Sequence, residues 1–479
     1  MCHQQRNNMT DRKTQNKLSE QECQRVHAAS CEILERVGVR LDLDEARDIL
    51  RKAGAKIKDD GMVLIPSFLV ERSLKAAPKQ VVLFDRKGNP AMPVKDRLCY
   101  YGPGSDCLNI VDHREGNRRK AVLQDTIEGT ILCDVLDDID FVMSMVLPSD
   151  INTAIADRYQ MEVMLSHTVK PIIYVTYEYE GCVDCVAMAE AVAGGERALL
   201  DNPNVACYIN VISGLHHNKD ALQKLLFLSS KGLPALYIPS STGGVTSPIT
   251  PAGSLALDYA GVLVGLVLSQ LTREGAPIIV PGMNPGQLDM RTMISTYCEP
   301  ERGHAQAMAH HYGLPMFSLG GATEAKVVDQ QAAAEAALTL LSETLAGGNI
   351  IHDLGYLESG LTFSFSQLLI CTEIVSWIKA YTKAIPVGNE SLALDVIAER
   401  GPEGQYLDTE HTRKYFRERW YPDLFERNTY DMWAGGGSKT LAERASAKVA
   451  HILSSHKPEP LPQSVLTKLR AIVEKASIS

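Results

Sequence analysis

Residues able to bind and orient a ligand recur in this sequence just after short apolar runs. Tyr100-Tyr101-Gly102-Pro103-Gly104-Ser105 is the first group, followed by Pro148-Ser149-Asp150 and Tyr177-Glu178-Tyr179. Asn210, Ser213, Gly214 and His216-His217 come next, then Pro239-Ser240-Ser241-Thr242-Gly243-Gly244 and Pro281-Gly282-Met283-Asn284. Ser318-Leu319-Gly320-Gly321 and His352-Asp353-Leu354-Gly355-Tyr356 complete the series. These groups offer hydroxyls, amides and phenol rings, with few cations. Repeated glycine lets backbone approach something large and flat, or leaves a wide mouth. Turns also call for glycine on their own account.

Other chemistries find less support. His216-His217 and His310-His311 are adjacent pairs whose rings point apart on any regular element. His304 stands six residues before His310, a poor match to the i, i+4 spacing of a helical zinc site. No catalytic metal is expected. No G-x-S-x-G nucleophile elbow occurs. Gly435-Gly436-Gly437-Ser438-Lys439-Thr440 has Ser where a phosphate loop has Gly before its Lys, and it follows no strand. Cys182 and Cys185 share a helix face with no second pair at zinc-ribbon spacing, so they read as structural thiols.

The elements that must position the ligand-binding groups follow from the same punctuation. Eight apolar runs stand about 30–45 residues apart: Leu98–Tyr101, Phe141–Val146, Ile172–Thr176, Ala206–Val211, Leu236–Ile238, Pro277–Val280, Met316–Leu319 and Asn349–His352. Helix-length segments lie between them, among them Asp125–Leu136, Cys182–Leu199, Lys219–Ser230, Leu255–Leu271, Glu301–Tyr312 and Asp329–Leu345. Strands alternating with helices imply parallel βαβ units. Eight units are what a closed α/β barrel of the TIM-like (β/α)8 type requires, with its chemistry at the carboxyl ends of the strands. The alternative is an open doubly wound sheet, whose dinucleotide-binding form would show a GxGxxG that is absent here. Helical periodicity over Glu20–Val39 and Pro66–Ala77 predicts an N-terminal helical layer. The resulting division is residues 1–95 for that layer, 96–390 for the barrel, and 391–479 for a C-terminal helical extension.

Composition agrees with a globular protein. The chain has 479 residues, 45% of them hydrophobic, with 48 Lys plus Arg against 58 Asp plus Glu and a formal charge of −10. The acidic balance argues against a nucleic-acid partner. No membrane span is expected, because the most apolar stretch, Leu255–Leu271, contains Asp258, Ser269 and Gln270 and reads as a buried or interface helix. The first 20 residues lack an apolar signal core. Eleven scattered cysteines point to reduced thiols in a cytoplasm.

Four separated segments carry a family resemblance. Gly348–Gln367 (GNIIHDLGYLESGLTFSFSQ), Thr323–Ala332 (TEAKVVDQQA), His411–Arg444 and Tyr101–Asp125 resemble the trimethylamine methyltransferase family, in the right order and over nearly the whole chain. The resemblance implies a barrel enzyme that moves a methyl group from a methylated amine to cobalt, in a cobalamin (corrinoid) cofactor carried by a partner protein. Family members that use trimethylamine carry pyrrolysine near the end of a late strand. The matching stretch here, Phe317–Ala322, reads FSLGGA, with Gly320 or Gly321 at that place.

That difference has chemical content. Cobalt(I) attacks a methyl carbon directly, but a neutral tertiary amine would have to leave as a very basic anion. A quaternary ammonium leaves as a neutral tertiary amine and needs only to be held in line. The resemblance therefore implies a quaternary amine substrate, with glycine betaine first, then proline betaine, carnitine or γ-butyrobetaine. Aromatic faces hold such cations, and the candidates are Tyr100, Tyr101, Tyr177, Tyr179, Tyr356 and Phe363, with Gly320, Gly321 and Ser318 as donors to a carboxylate. Alternation allows only one of Tyr100 and Tyr101 to face inward. His352, Asn210, Ser240 and Asn284 are the candidates for contact with the corrinoid. No residue is assigned a bond-making role. The alternatives are a barrel that only binds a cationic osmolyte and a metal-dependent hydrolase. A homo-oligomer is expected from the Leu255–Leu271 helix.

Overall fold

The computed structural model describes residues 17–478; Cys2 and most of the polar N-terminal stretch lie outside the described residues. Seven parallel strands form the central sheet: β1 (Tyr100–Pro103), β2 (Ile172–Val175), β3 (Val205–Val211), β4 (Ala235–Pro239), β5 (Ile278–Pro281), β6 (Met316–Leu319) and β7 (Ile350–Leu354), in spatial order β1-β7-β6-β5-β4-β3-β2. Segment 141–146 closes the ring between β2 and β1. Its Val142 N–H donates to Pro171 O and its carbonyl accepts from Ile173, both at 2.9 Å, while Met145 N–H donates to Gly104 O at 2.9 Å. Met145 takes a positive φ of 62°, which interrupts this segment as a regular strand. The result is a TIM-like barrel, and each of the eight expected runs occupies a stave.

The strands were readable because they are buried on both faces and therefore appear as continuous apolar runs. Alternate residues face the interior: Ile173, Ala206, Leu236, Ile238, Ile279, Phe317 and Ile350 pack together there. Their cluster also contains Val81, Leu83, Met92 and Val94. These come from a hairpin of Val81–Phe84 and Pro90–Val94. Phe84 N–H bonds Pro203 O and Arg86 N–H bonds Val169 O, in the loops that precede β3 and β2. The hairpin therefore stoppers the amino-terminal end of the barrel. Sequence periodicity gave no sign of it.

Outside the barrel, α1 (Glu20–Arg36), α2 (Asp44–Ala53) and α3 (Ser67–Ala76) form the expected N-terminal layer, with short strands interleaved and α2 unanticipated. Ser19 and Glu22 close a capping box at the start of α1. The three helices pack on α4 (Pro251–Thr272). That helix is long and apolar enough to cross a bilayer, but its side chains are buried within this chain. Because α1–α3 cover it, it offers no free face to a second copy, and the expectation of self-association loses that support. At the other end of the chain, α5 (Leu441–Ser455) and α6 (Gln463–Ile478) lie against the outer helices, as a C-terminal helical extension.

Candidate functional site

A cavity of about 760 Å³ opens at the carboxyl-terminal mouth of the barrel. Several staves contribute where their alternation aims a side chain inward: Tyr208 and Asn210 on β3, Ser240 after β4, Leu319 on β6 and His352 on β7, while the positive φ of Asp353 brings that residue in beside His352. Loops raise the walls. Residues 356–364 and 109–120 pair into a four-stranded ribbon that brings in Tyr356, while a hairpin of 287–296 leads to Tyr297.

His352 stacks on Phe317 with ring centroids 3.8 Å apart. Its Nδ1–H donates to Ser318 O at 2.6 Å, leaving the lone pair on Nε2, 3.3 Å from Asp353 Oδ1. Burial pushes the imidazole down to about 3 and the Asp353 carboxyl up to about 8. At neutral pH the imidazole is therefore uncharged and Asp353 protonated, with its proton available to Nε2. Asp353 has a φ of +81°, a conformation that Asp and Asn tolerate better than most residues. A Cβ on Gly104 would run into the Asp353 carboxyl and the Tyr356 hydroxyl, so the residue after β1 must be glycine for these groups to meet.

Asp106 lines the same cavity, also at positive φ, and burial raises its carboxyl to about 6. Asp106 and Asp353 both act on the phenols of Tyr208 and Tyr356, which burial already holds well above their ordinary value. Arg302 is the cation of the lining. Its Nε and Nη2 meet Glu343 at 3.1 Å, Nη1 donates to Tyr297 O at 2.7 Å, and Nη2 donates to Leu319 O. Gln306 gives Glu343 a further hydrogen bond.

Of the residues singled out in the sequence, Asn210, Ser240, Asn284, His352 and Tyr356 line the cavity. Asn284 has a structural duty there: its Oδ1 accepts from Ala305 N–H at 3.0 Å and its Nδ2 donates to Glu301 O, tying the start of the His304–Tyr312 helix.

The other candidates fall elsewhere. Tyr100 faces inward but at the stoppered end, where its hydroxyl donates to Pro93 O at 3.2 Å. Tyr101 alternates outward to Thr344, 2.8 Å away, with Lys379 Nζ 5.2 Å from its ring centroid. Both precede the strand's carboxyl end, which is the physical reason that neither reaches the mouth. Tyr177 is 39% exposed, outside the cavity, with its hydroxyl 3.4 Å from Asp106 Oδ1. Tyr179 packs on Phe227. Phe363 stands behind Tyr356, edge to face at 6.2 Å. The backbone amides of Gly320 and Gly321 are occupied by His352 O and Thr339 Oγ1, both at 3.0 Å. Ser318 turns its hydroxyl toward Gly282 O.

His216 bonds Asp42 and His217 bonds Tyr237, in opposite directions. Cys298, Glu324 and Glu335 come together, but Glu324 Oε1 accepts from the Tyr297 and Cys298 amides and Glu335 Oε2 from Thr323 and Glu324, which ties down a loop. Sequence reasoning missed Asp106, Tyr208, Tyr297 and the Arg302–Glu343 pair as site residues, and gave Asp353 a place at a strand end but no role. Asp106 directly follows a strand-end residue that was picked out, Ser105, so position was the available signal.

The trimethylamine methyltransferase (MTTB) family model matches residues 2–478. Trimethylamine methyltransferase MttB of Desulfitobacterium hafniense is 32% identical over 463 residues, covering 96% of this chain and 93% of that protein. MttB1 of Methanosarcina mazei is 30% identical over 477 residues, 96% of this chain and 95% of that one. A glycine betaine methyltransferase from another strain of D. hafniense is 28% identical over 466 residues, 96% of each. The chain belongs to the trimethylamine methyltransferase family.

Proposed function

We propose that this protein transfers a methyl group from a quaternary ammonium compound to the cobalt of a corrinoid carried by a separate protein. The observation that carries the reading is the cavity, where the rings of Tyr208, Tyr297 and Tyr356 share one chamber with the Asp106 carboxyl and no lysine joins the lining. Ring faces and carboxyls attract a fixed positive charge, most strongly where water is scarce. The glycine betaine methyltransferase relative supports a quaternary amine, and glycine betaine is the reference compound of the sequence reading.

The chain's own residues fit a donor that needs no activation. His352 is uncharged, and Asp353 has its proton available to His352. In Phe317–Ala322, Leu319 faces the cavity and Ser318 turns to Gly282, so no nucleophilic side chain from this stretch is aimed at a ligand. A quaternary nitrogen leaves as a neutral amine, so positioning is the main task. Tyr208, Tyr297 and Tyr356 would hold the cation.

The mouth fits the amide-fringed face of a corrinoid. Asn210 is exposed at its edge, and Ser240 and Thr242 flank it. Asn210, Ser240 and His352 would contact the group, which when docked supplies a cobalt(I) nucleophile to accept the methyl.

A donor panel with cob(I)alamin, followed by the visible spectrum of methylcobalamin, tests the reading. Tetramethylammonium or glycine betaine should methylate cobalt and trimethylamine should not; the reverse pattern would overturn the proposal. Two further assignments rest on separate observations. Ten free cysteines among the described residues support a cytoplasmic setting. Ile385, Val387 and Leu407, 82%, 75% and 87% exposed, support a homo-oligomer, which light scattering would resolve as a multiple of the 52.5 kDa chain.

A further inference from the structure

We infer that the fourth substituent of the preferred quaternary ammonium is uncharged and donates a hydrogen bond, so that an ammonium alcohol or amide is favoured over a carboxylate-bearing betaine. The inference rests on the quaternary-ammonium reading of the same site and deepens it.

Charge is the first argument. The cavity is lined by five carboxyls, Asp106, Glu299, Glu301, Glu343 and Asp353, against the single guanidinium of Arg302. Glu343 and the carbonyls of Tyr297 and Leu319 already engage that guanidinium, so its charge is matched before any ligand arrives. Asp353 holds its proton, so a ligand carboxylate would enter a chamber with the carboxyls of Asp106, Glu299 and Glu301 besides and no free cation, and like charges repel there more strongly than in water.

The donors are the second argument. A carboxylate seeks N–H groups, yet the Gly320 and Gly321 amides bond His352 O and Thr339 Oγ1, and the Asn284 amide bonds Glu301 O. Two buried atoms of the cavity wall have no partner: Ser241 Oγ, which sits beside the Asp258 carboxyl, and Asn218 Oδ1, which can only accept. A buried carbonyl oxygen without a donor is costly, and a ligand O–H or N–H would satisfy it where a carboxylate would repel it.

Calorimetry on the full chain alone, at pH 7, separates this inference from the reading beneath it. The probes are choline chloride, tetramethylammonium chloride, glycine betaine and the neutral isostere 3,3-dimethylbutan-1-ol. Choline should bind at least ten-fold tighter than glycine betaine, and tetramethylammonium should fall between them. Asp106→Asn should narrow the choline-to-betaine ratio to below about three-fold, with Glu299→Gln as the second variant if the first does not fold. Betaine binding as tightly as choline would overturn the inference and leave the quaternary-ammonium reading standing. An unchanged ratio in a folded variant would also overturn it, by removing the carboxyls as the cause. Binding of the neutral isostere as tight as that of choline, or no binding by any probe, would remove the reading and the inference together.

Discussion

Asp353 Oδ1 faces His352 Nε2 at 3.3 Å, across the imidazole from the Nδ1–H that donates to Ser318 O. The pair is neutral because the carboxyl, not the imidazole, holds the proton. In the unfolded chain this carboxyl titrates near ~4, and in the folded protein at about 8. Between those values the folded state keeps a proton that the unfolded state has released, so this group's stabilising contribution is lost as pH rises from 4 to 8. Asn cannot ionise and accepts the positive φ. Asp353→Asn should therefore match the parent near pH 4 and exceed it increasingly toward pH 8, by on the order of a few kcal/mol. Urea unfolding at three pH values checks this; parallel pH profiles would rule out a protonated Asp353.

Arg302 and Glu343 form a buried charge pair in the cavity wall, and Arg302 also ties Tyr297 O and Leu319 O to the same spot. Arg302→Ala should cost about 3–5 kcal/mol by stranding a buried carboxylate. Arg302→Ala combined with Glu343→Ala should recover part of that loss, in a double-mutant cycle read by denaturation. Additive losses would show that the two groups act separately.

The tyrosines divide by where alternation sends them. Tyr208→Leu should weaken tetramethylammonium binding by about two- to thirty-fold, the equivalent of ~0.5–2 kcal/mol, while Tyr208→Phe keeps most of it. Tyr101→Phe should cost about 1 kcal/mol of stability through the lost Thr344 hydrogen bond and leave ligand binding unchanged. Calorimetry and thermal unfolding on the same three variants separate the outcomes.

Gly104 is a steric prediction. Gly104→Ala should abolish ligand binding in a protein that retains its far-ultraviolet dichroism, because the added methyl occupies the space between Asp353 and Tyr356. Unaltered affinity would mean that this corner plays no part in binding.

The barrel could be read from the sequence because each stave is apolar on both faces, and even 141–146, kinked at Met145, keeps that signature. The plugging hairpin could not, since its apolar residues Val81, Leu83, Met92 and Val94 match any two-stranded surface ribbon. Of the site, residues at strand ends such as His352, Ser240 and Asn210 were accessible through topology alone. Tyr100 and Tyr101 misled because a run of tyrosines beside glycines does not reveal at which end of its strand it stands. Asp106 and Asp353 owe their character to burial by distant segments, and no local pattern of residues encodes that.

The stopper at the barrel floor has a kinetic corollary. With one end shut, traffic into and out of the chamber shares a single doorway, and in the proposed reaction a large carrier protein must occupy that doorway during transfer. The small amine has to enter before the carrier arrives, and the demethylated amine stays trapped until it departs. Turnover would then be paced by how long two proteins remain together, however fast the methyl itself moves.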